Sequence, residues 1–176
     1  YFSMKAIIIT GCSSGIGLDT AIAFREAGWT VIASCRKEKD CEAIRKNYGM
    51  YSVRIDYEDE ASILSGFTEA LKITNGQIDV LFNNGAYGIP AFVEDLPTDA
   101  LRAIFEANFF GWHTLSRLAI AKMRKQKEGR IIQNSSVLGF APLKFRGAYN
   151  STKFALEGLT DTMRLELNQT NIHLAL

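Results

Sequence analysis

Short runs of β-branched and apolar residues alternate along this chain with longer stretches of helical period, and that alternation narrows the fold more than any other feature. Ala6–Thr10 (AIIIT) is bounded by glycine and reads as a buried strand. From Ile16 to Gly28 the apolar residues Leu18, Ala21, Ile22 and Phe24 recur at helical spacing, with Gly28 as the stop. The same reading predicts strands over Thr30–Ser34, Tyr51–Ile55, Asp79–Asn83 and Arg130–Asn134, and a further one starting at Ile172. It predicts helices over Lys39–Tyr48, Glu60–Thr74, Asp99–Lys127 and Gly147–Asn168. The cations Lys122, Arg124, Lys125 and Lys127 suit the negative end of the long helix. Strands separated by helices make βαβ units, so the expected fold is α/β: a doubly wound parallel sheet with right-handed crossovers and helices on both faces.

With three prolines, no repeat and no low-complexity stretch, residues 4–176 read as a single domain. Tyr1-Phe2-Ser3 precede Met4 and are expected to be a cloning remnant outside the fold. The chain stops barely inside its sixth expected strand, so a C-terminal part of the domain is expected to be missing. Twenty Lys+Arg against 19 Asp+Glu leave a net charge of +1, which argues against nucleic acid as the partner. No apolar run approaches the ~18–20 residues that span a bilayer. Cys12, Cys35 and Cys41 are an odd number and lack zinc-site spacing. No metal is expected, and the default compartment is a reducing cytoplasm.

Between the first strand and first helix lies T-G-C-S-S-G-I-G, with Gly11, Gly15 and Gly17. Glycine is required where φ is positive or where a ligand approaches the backbone too closely for a Cβ. A pyrophosphate there would meet free N–H groups and the positive end of the helix dipole. The spacing G-x-x-x-G-x-G is neither G-x-G-x-x-G nor a P-loop, so a nucleotide cradle stands beside the plainer reading of a glycine-rich turn. Gly11-Cys12-Ser13-Ser14-Gly15 also matches the nucleophile elbow G-x-S-x-G. That reading would make Ser13 a nucleophile. Its only histidines are His113, within the long helical pattern, and His173, inside the last strand. A hydrolase is therefore disfavoured.

The second strand closes Ala33-Ser34-Cys35-Arg36-Lys37. An acidic residue at this place in dinucleotide folds binds the ribose hydroxyls, whereas Arg accommodates a 2′-phosphate. No carboxylate is present and Arg36 follows at once, so NADP(H) is the expected cofactor and NAD(H) the second choice. The plainer reading makes Arg36 and Lys37 a solvated loop. Further on, Tyr149 and Lys153 are spaced i, i+4 and share one helix face. An ammonium beside a phenol lowers its pKa from ~10 and equips Tyr149 as a general acid/base. Ser136 follows the fifth predicted strand, where ligands bind in open sheets. Asn108 interrupts an apolar helical stretch, F-E-A-N-F-F-G, and its amide must find partners.

Together these segments resemble the short-chain dehydrogenase/reductase family, whose members have a Rossmann-type sheet. The anchors occur in family order: Thr10 to Gly17, Asp56, Asn83-Asn84-Gly85-Ala86, Asn108, Ser136 and Tyr149-x-x-x-Lys153. The stretch A-Y-N-S-T-K-F-A-L-E-G-L is similar to the family's active-site helix and leans towards its steroid- and retinol-type members. The resemblance implies reversible hydride transfer between nicotinamide and a carbonyl/secondary alcohol pair, with a lipophilic substrate favoured. Tyr149 would exchange the proton, Ser136 would hold the substrate oxygen, and Lys153 would tune Tyr149 and bind the nicotinamide ribose. Asn108 would hold a water that links Lys153 to solvent. Gly11, Ser13, Ser14, Gly15, Ile16 and Gly17 would wrap the pyrophosphate, Asp56 would meet the adenine, and Asn84 with Gly85 would line the adenosine ribose. A homodimer or homotetramer through the two long helices is implied as well. The usual N-N-A-G reads N-N-G-A here, a small exchange. Family members also continue for about 70–100 residues past this point, including the substrate-binding loop. A non-catalytic dinucleotide-binding scaffold is the competing reading, and it predicts loss of Ser136, Tyr149 or Lys153.

Overall fold

The computed structural model describes residues 4–176, so the expectation about Tyr1-Phe2-Ser3 lies outside the described residues. Five short strands, β1 (Ala6–Ile9), β2 (Thr30–Ala33), β3 (Val80–Asn83), β4 (Gly129–Gln133) and β5 (Ile172–Ala175), form one parallel sheet. Their order is β2-β1-β3-β4-β5. The helices between them are α1 (Gly15–Glu26), α2 (Glu38–Tyr48), α3 (Glu60–Ile73), α4 (Thr98–Phe105), α5 (Gly111–Gln126) and α6 (Gly147–Glu166).

Strand alternation explains the two-faced core. Ile7 and Ile9 join Val31, Ala33, Ala21 of α1 and Ile44 of α2 in one buried cluster. Ile8 and Ile32 point the other way, into a cluster with Phe67 of α3, Leu115 and Met123 of α5 and Leu156 of α6. Both faces of β1 are thus sealed, and all four of its side chains are buried. Burying each Ile contributes about 1.5–3 kcal/mol relative to exposure, which is why so short a strand holds its interior place between β2 and β3.

Two expected elements differ. Tyr51–Ile55 is not a strand of the sheet: it lies along the free edge of β2 and makes two isolated bridges, Ile32 to Tyr51 and Cys35 to Arg54. Its outer side is occupied by side chains instead of another strand, with Arg45 Nη1 donating to the Ser52 carbonyl and Arg54 Nε reaching back to the Arg36 carbonyl. The long helix predicted over Asp99–Lys127 is broken by a π-turn at Glu106–Phe110. The widened turn contains Asn108, whose amide bonds the Tyr87 backbone at both ends. Immediately after it, Gly111 closes onto the Tyr57 backbone, where a Cβ would lie 2.6 Å from the Tyr57 carbonyl oxygen. A π-turn inserts one residue and re-aims the helix, and such turns recur at functional sites.

Candidate active site

Strand order reverses between β1 and β3, and the crevice outside the carboxyl ends of these strands is where open α/β sheets bind ligands. The crevice has two halves that share Gly11, Ser13 and Gly85. One is walled by Arg36, Asp56, Tyr57 and Glu58. The other is walled by Ser14, Ile16, Asn84, Asn134, Tyr149 and Lys153. Of the candidate site residues named from the sequence, all but Gly15, Gly17, Asn108 and Ser136 line one of these walls.

The turn after β1 is built for close approach. Gly11 has φ +68°, and a Cβ on it would lie 2.7 Å from the Gly85 Cα. Gly17 is buried inside the turn, where a Cβ would come within 2.3 Å of the Gly11 oxygen. The first turn of α1 carries no acidic residue, and the Ser14 side chain does not cap it. Its N–H groups and the positive helix end therefore remain available to an anion. Cys12, by contrast, is a sealed filler: it is fully buried, it donates to the Ile9 carbonyl, and burial pushes its thiol up to about 12.

A buried polar chain supports this turn. Thr10 Oγ1 accepts from Asn84 N at 2.9 Å and Gly85 N at 3.2 Å, which uses both lone pairs. Its proton then goes to Tyr57 Oη, 2.7 Å away. Tyr57 donates to Asn83 Oδ1 at 2.6 Å, and Asn83 Nδ2 donates to Ser116 Oγ and Gln133 Oε1. Burial holds the Tyr57 phenol well above the usual range, so it stays a neutral donor. Asn84 extends the framework, donating to the Thr10 carbonyl and accepting from Asn134 Nδ2 at 2.7 Å. Gly85 fits beside Tyr57, because a Cβ there would already touch Tyr57 and Gly11 at 3.4 Å. Tyr57 and Asn134 were not anticipated from the sequence. Neither belongs to a motif, although Tyr57 directly follows Asp56.

On the edge of this half, Arg36 and Asp56 line the same wall. The Asp56 carboxylate accepts from Arg54 at 3.3 Å and from the Glu58 N–H at 3.1 Å.

In the other half, Tyr149 and Lys153 lie one turn apart on α6, as their spacing predicts. The Tyr149 ring packs on Gly88, and the Lys153 Nζ is 5.5 Å from its centroid. Lys153 is only 1% exposed and has no carboxylate partner in an ion pair among the described residues. Its Nζ donates to the Asn134 carbonyl at 2.8 Å and stands over the Trp112 ring. Desolvation lowers its pKa to about 8.

Ser136 begins a short 3₁₀ turn, and its Oγ accepts from Leu138 N at 3.1 Å, leaving the hydroxyl proton free to donate. The adjacent Ser135 is the one that lines the crevice, and its hydroxyl bonds the Glu157 carboxylate. Asn108 is fully buried; besides Tyr87 it reaches Thr152, and it makes no direct bond to Lys153. Ser13 lines a wall without any histidine; His113 lies on α5 and His173 on β5. The nucleophile-elbow reading therefore lacks its base.

The chain is similar to known proteins along nearly all of its described length. The short chain dehydrogenase profile matches residues 5–176, and the chain belongs to that family. It is 36% identical over 172 residues to the uncharacterized oxidoreductase YbbO of Escherichia coli K12, covering 98% of this chain and 64% of YbbO. It is 32% identical to human retinol dehydrogenase 8, covering 98% of this chain and 57% of that protein. A crystal structure of a short-chain dehydrogenase from Streptomyces avermitilis superposes with a TM-score of 0.91 at 30% identity, over 98% of this chain and 64% of that one. The chain thus spans less than two thirds of the length of these relatives. Among the described residues, no helix is long and apolar enough to cross a membrane.

Proposed function

We propose that this chain carries the cofactor and proton-transfer half of an NADP(H)-dependent oxidoreductase acting on a carbonyl/secondary alcohol pair, with an apolar substrate. The observation that carries the reading is the Lys153 ammonium, buried beside Tyr149 with a single hydrogen bond, to the Asn134 carbonyl. The cradle fits a dinucleotide: Gly11 and Gly17 admit no Cβ, and the α1 N-terminus is uncapped by any side chain. When bound, the dinucleotide supplies or accepts the hydride.

The protein's residues handle the proton and the oxygen. In reduction the Tyr149 hydroxyl gives its proton to the substrate oxygen, and in oxidation the phenolate takes it back. Lys153, held as a cation, stabilises that phenolate. Its remaining N–H groups bind the nicotinamide ribose. The Ser136 hydroxyl donates to the same substrate oxygen and steadies its developing charge. Asn108 fixes the Tyr87 segment behind the pair, and its turn carries the water that joins Lys153 to solvent. Arg36 meets the 2′-phosphate, Asp56 the adenine, and Asn84 with Gly85 the ribose beside them. The exposed Phe92, Leu143 and Phe145, lining one groove beyond Gly88, suit an apolar substrate body. A homodimer or homotetramer through α5 and α6, and a cytoplasmic setting consistent with three free thiols, complete the proposal.

The test is Tyr149→Phe in the full-length protein, with NADPH and a panel of cyclic and open-chain ketones. Turnover is expected to fall by about 10²–10⁴-fold while NADPH binding persists. Unchanged turnover would show that the proton comes from elsewhere.

A further inference from the structure

Trp112 belongs to none of the motifs, yet it stands at the joint between the two halves of the crevice. Its side chain is fully buried on α5. The indole Nε1 donates to the Gly85 carbonyl at 2.9 Å, on the loop that touches Gly11. Its ring face carries the Lys153 ammonium, with Nζ 4.3 Å from the ring centroid. The Tyr57 ring backs it at 6.0 Å, so the indole is held from its edge and from the side.

Lys153 needs such a support. A desolvated ammonium has lost its water, and its one hydrogen bond in the fold is to the Asn134 carbonyl. The charged or titratable groups around it are few. Tyr149 and Glu157 come from α6 itself, and the Glu157 carboxylate is engaged by Ser135. The Tyr87 phenol, on the 84–88 loop, interacts with Arg36 and Glu58 of the other half; the α1 N-terminus and the end of β4 contribute Ser13, Ser14 and Asn134 and no charge. A carboxylate in place of the indole would hold the cation more tightly but would compete with the Tyr149 phenolate for it. An aliphatic side chain would leave it unsolvated. The negative face of an aromatic ring stabilises the cation without binding its protons.

Resting on the reading of Lys153 as the group that tunes Tyr149, we propose that Trp112 is a positioning residue: its ring face holds the Lys153 ammonium charged and next to Tyr149, and the Nε1–Gly85 bond sets the ring's angle from the cofactor loop.

The experiment uses the indole as its own probe. The chain has two tryptophans, and Trp29 has its own cation, Lys5, 5.7 Å over its ring. In a Trp29→Phe background, emission therefore reports Trp112 alone. A fluorescence transition with pH is expected near 8. It should persist in Tyr149→Phe and vanish in Lys153→Met. Absence of the transition, or its survival in Lys153→Met, overturns the proposal. If Trp29→Phe does not fold, the difference in emission between wild type and Trp112→Phe carries the same comparison.

A second arm follows alcohol oxidation in the full-length protein with NADP⁺ and any alcohol it turns over. In Trp112→Leu the acid limb of the kcat profile should move up by about one pH unit, with a smaller movement in Trp112→Phe. A folded Trp112→Leu with an unmoved limb overturns the proposal, whatever its melting temperature. The two readings fail separately: a lysine-linked transition in a protein without turnover overturns the proposed function alone, and turnover without the transition overturns only the role of Trp112.

Discussion

The two halves of the crevice are finished to different degrees. Around Gly11 and Gly85 the polar chain from Thr10 through Tyr57 and Asn83 to Ser116 and Gln133 meets its own needs, and neighbouring backbones nearly touch. Around Tyr149 the contrast is plain. Lys153 is buried with one hydrogen bond, and Ser136 has a free proton to give. Beyond them, Phe145 holds a left-handed φ of +63° against Phe92, and both rings are exposed. A site that recognises an invariant part of a ligand gains from rigidity, because preorganisation lowers the entropy lost on binding. A site that performs chemistry must keep donors uncommitted and a charge poorly solvated, at a cost in stability.

That contrast can be broken at several points, and the largest effect is expected at Lys153. Its pKa is lowered from 10.5 to about 8. Between those values the unfolded chain binds more protons than the folded one, so stability rises with pH across that window. Below it the native state holds a desolvated charge at a cost of about 3 kcal/mol. Lys153→Met should therefore be more stable than wild type at pH 7 in urea unfolding, while losing turnover, and this advantage should fade as pH approaches 10.5. An advantage independent of pH would mean that the ammonium is not strained by burial.

Gly17→Ala tests the other half. Its Cβ would press on the Gly11 oxygen at 2.3 Å and on Asn84 Nδ2 at 2.8 Å, both held in place. Overpacking of this kind costs about 2 kcal/mol. Nucleotide titration and urea unfolding should both register it, whereas a loop able to relax would leave both intact.

Tyr57→Phe keeps the ring and removes one hydroxyl, leaving Asn83 Oδ1 without its donor, at a cost of about 1.5 kcal/mol. The Thr10 proton can turn to the Phe82 carbonyl at 3.4 Å, so only one partner is orphaned. Thermal unfolding measures this directly. At the rim, Arg36→Ala should weaken NADPH about tenfold in fluorescence titration and leave NADH unchanged, since only the former has a 2′-phosphate. Equal weakening of both would assign Arg36 to the shared part of the nucleotide.

Much of this site was legible because its chemistry is local. Gly11, Gly15 and Gly17 announce a turn of positive φ and close backbone approach, and Tyr149 and Lys153 meet through helical spacing alone. Residues that act across the sheet were not legible. Trp112 has the spacing of an ordinary core residue on α5, and only packing brings it to both Gly85 and Lys153. Tyr57 follows Asp56 without any periodic signal, yet it joins the ends of β1 and β3. The break in the long helix was hidden for the same reason: Asn108 selects a π-turn only because the Tyr87 backbone lies opposite to take its amide.

The order of strands and helices, the glycine turn and the Tyr–Lys pair were determined by the sequence itself, since each depends on backbone conformation and spacing within about a dozen residues. The tertiary structure decided which side chains face one another across the crevice, why Tyr51–Ile55 borders the sheet without becoming a strand, and what supports the Lys153 charge. The physical reason is that a hydrogen bond or a cation over a ring depends on ångström distances between residues far apart in the chain, such as the 41 positions separating Trp112 from Lys153, and a sequence pattern carries no such distances.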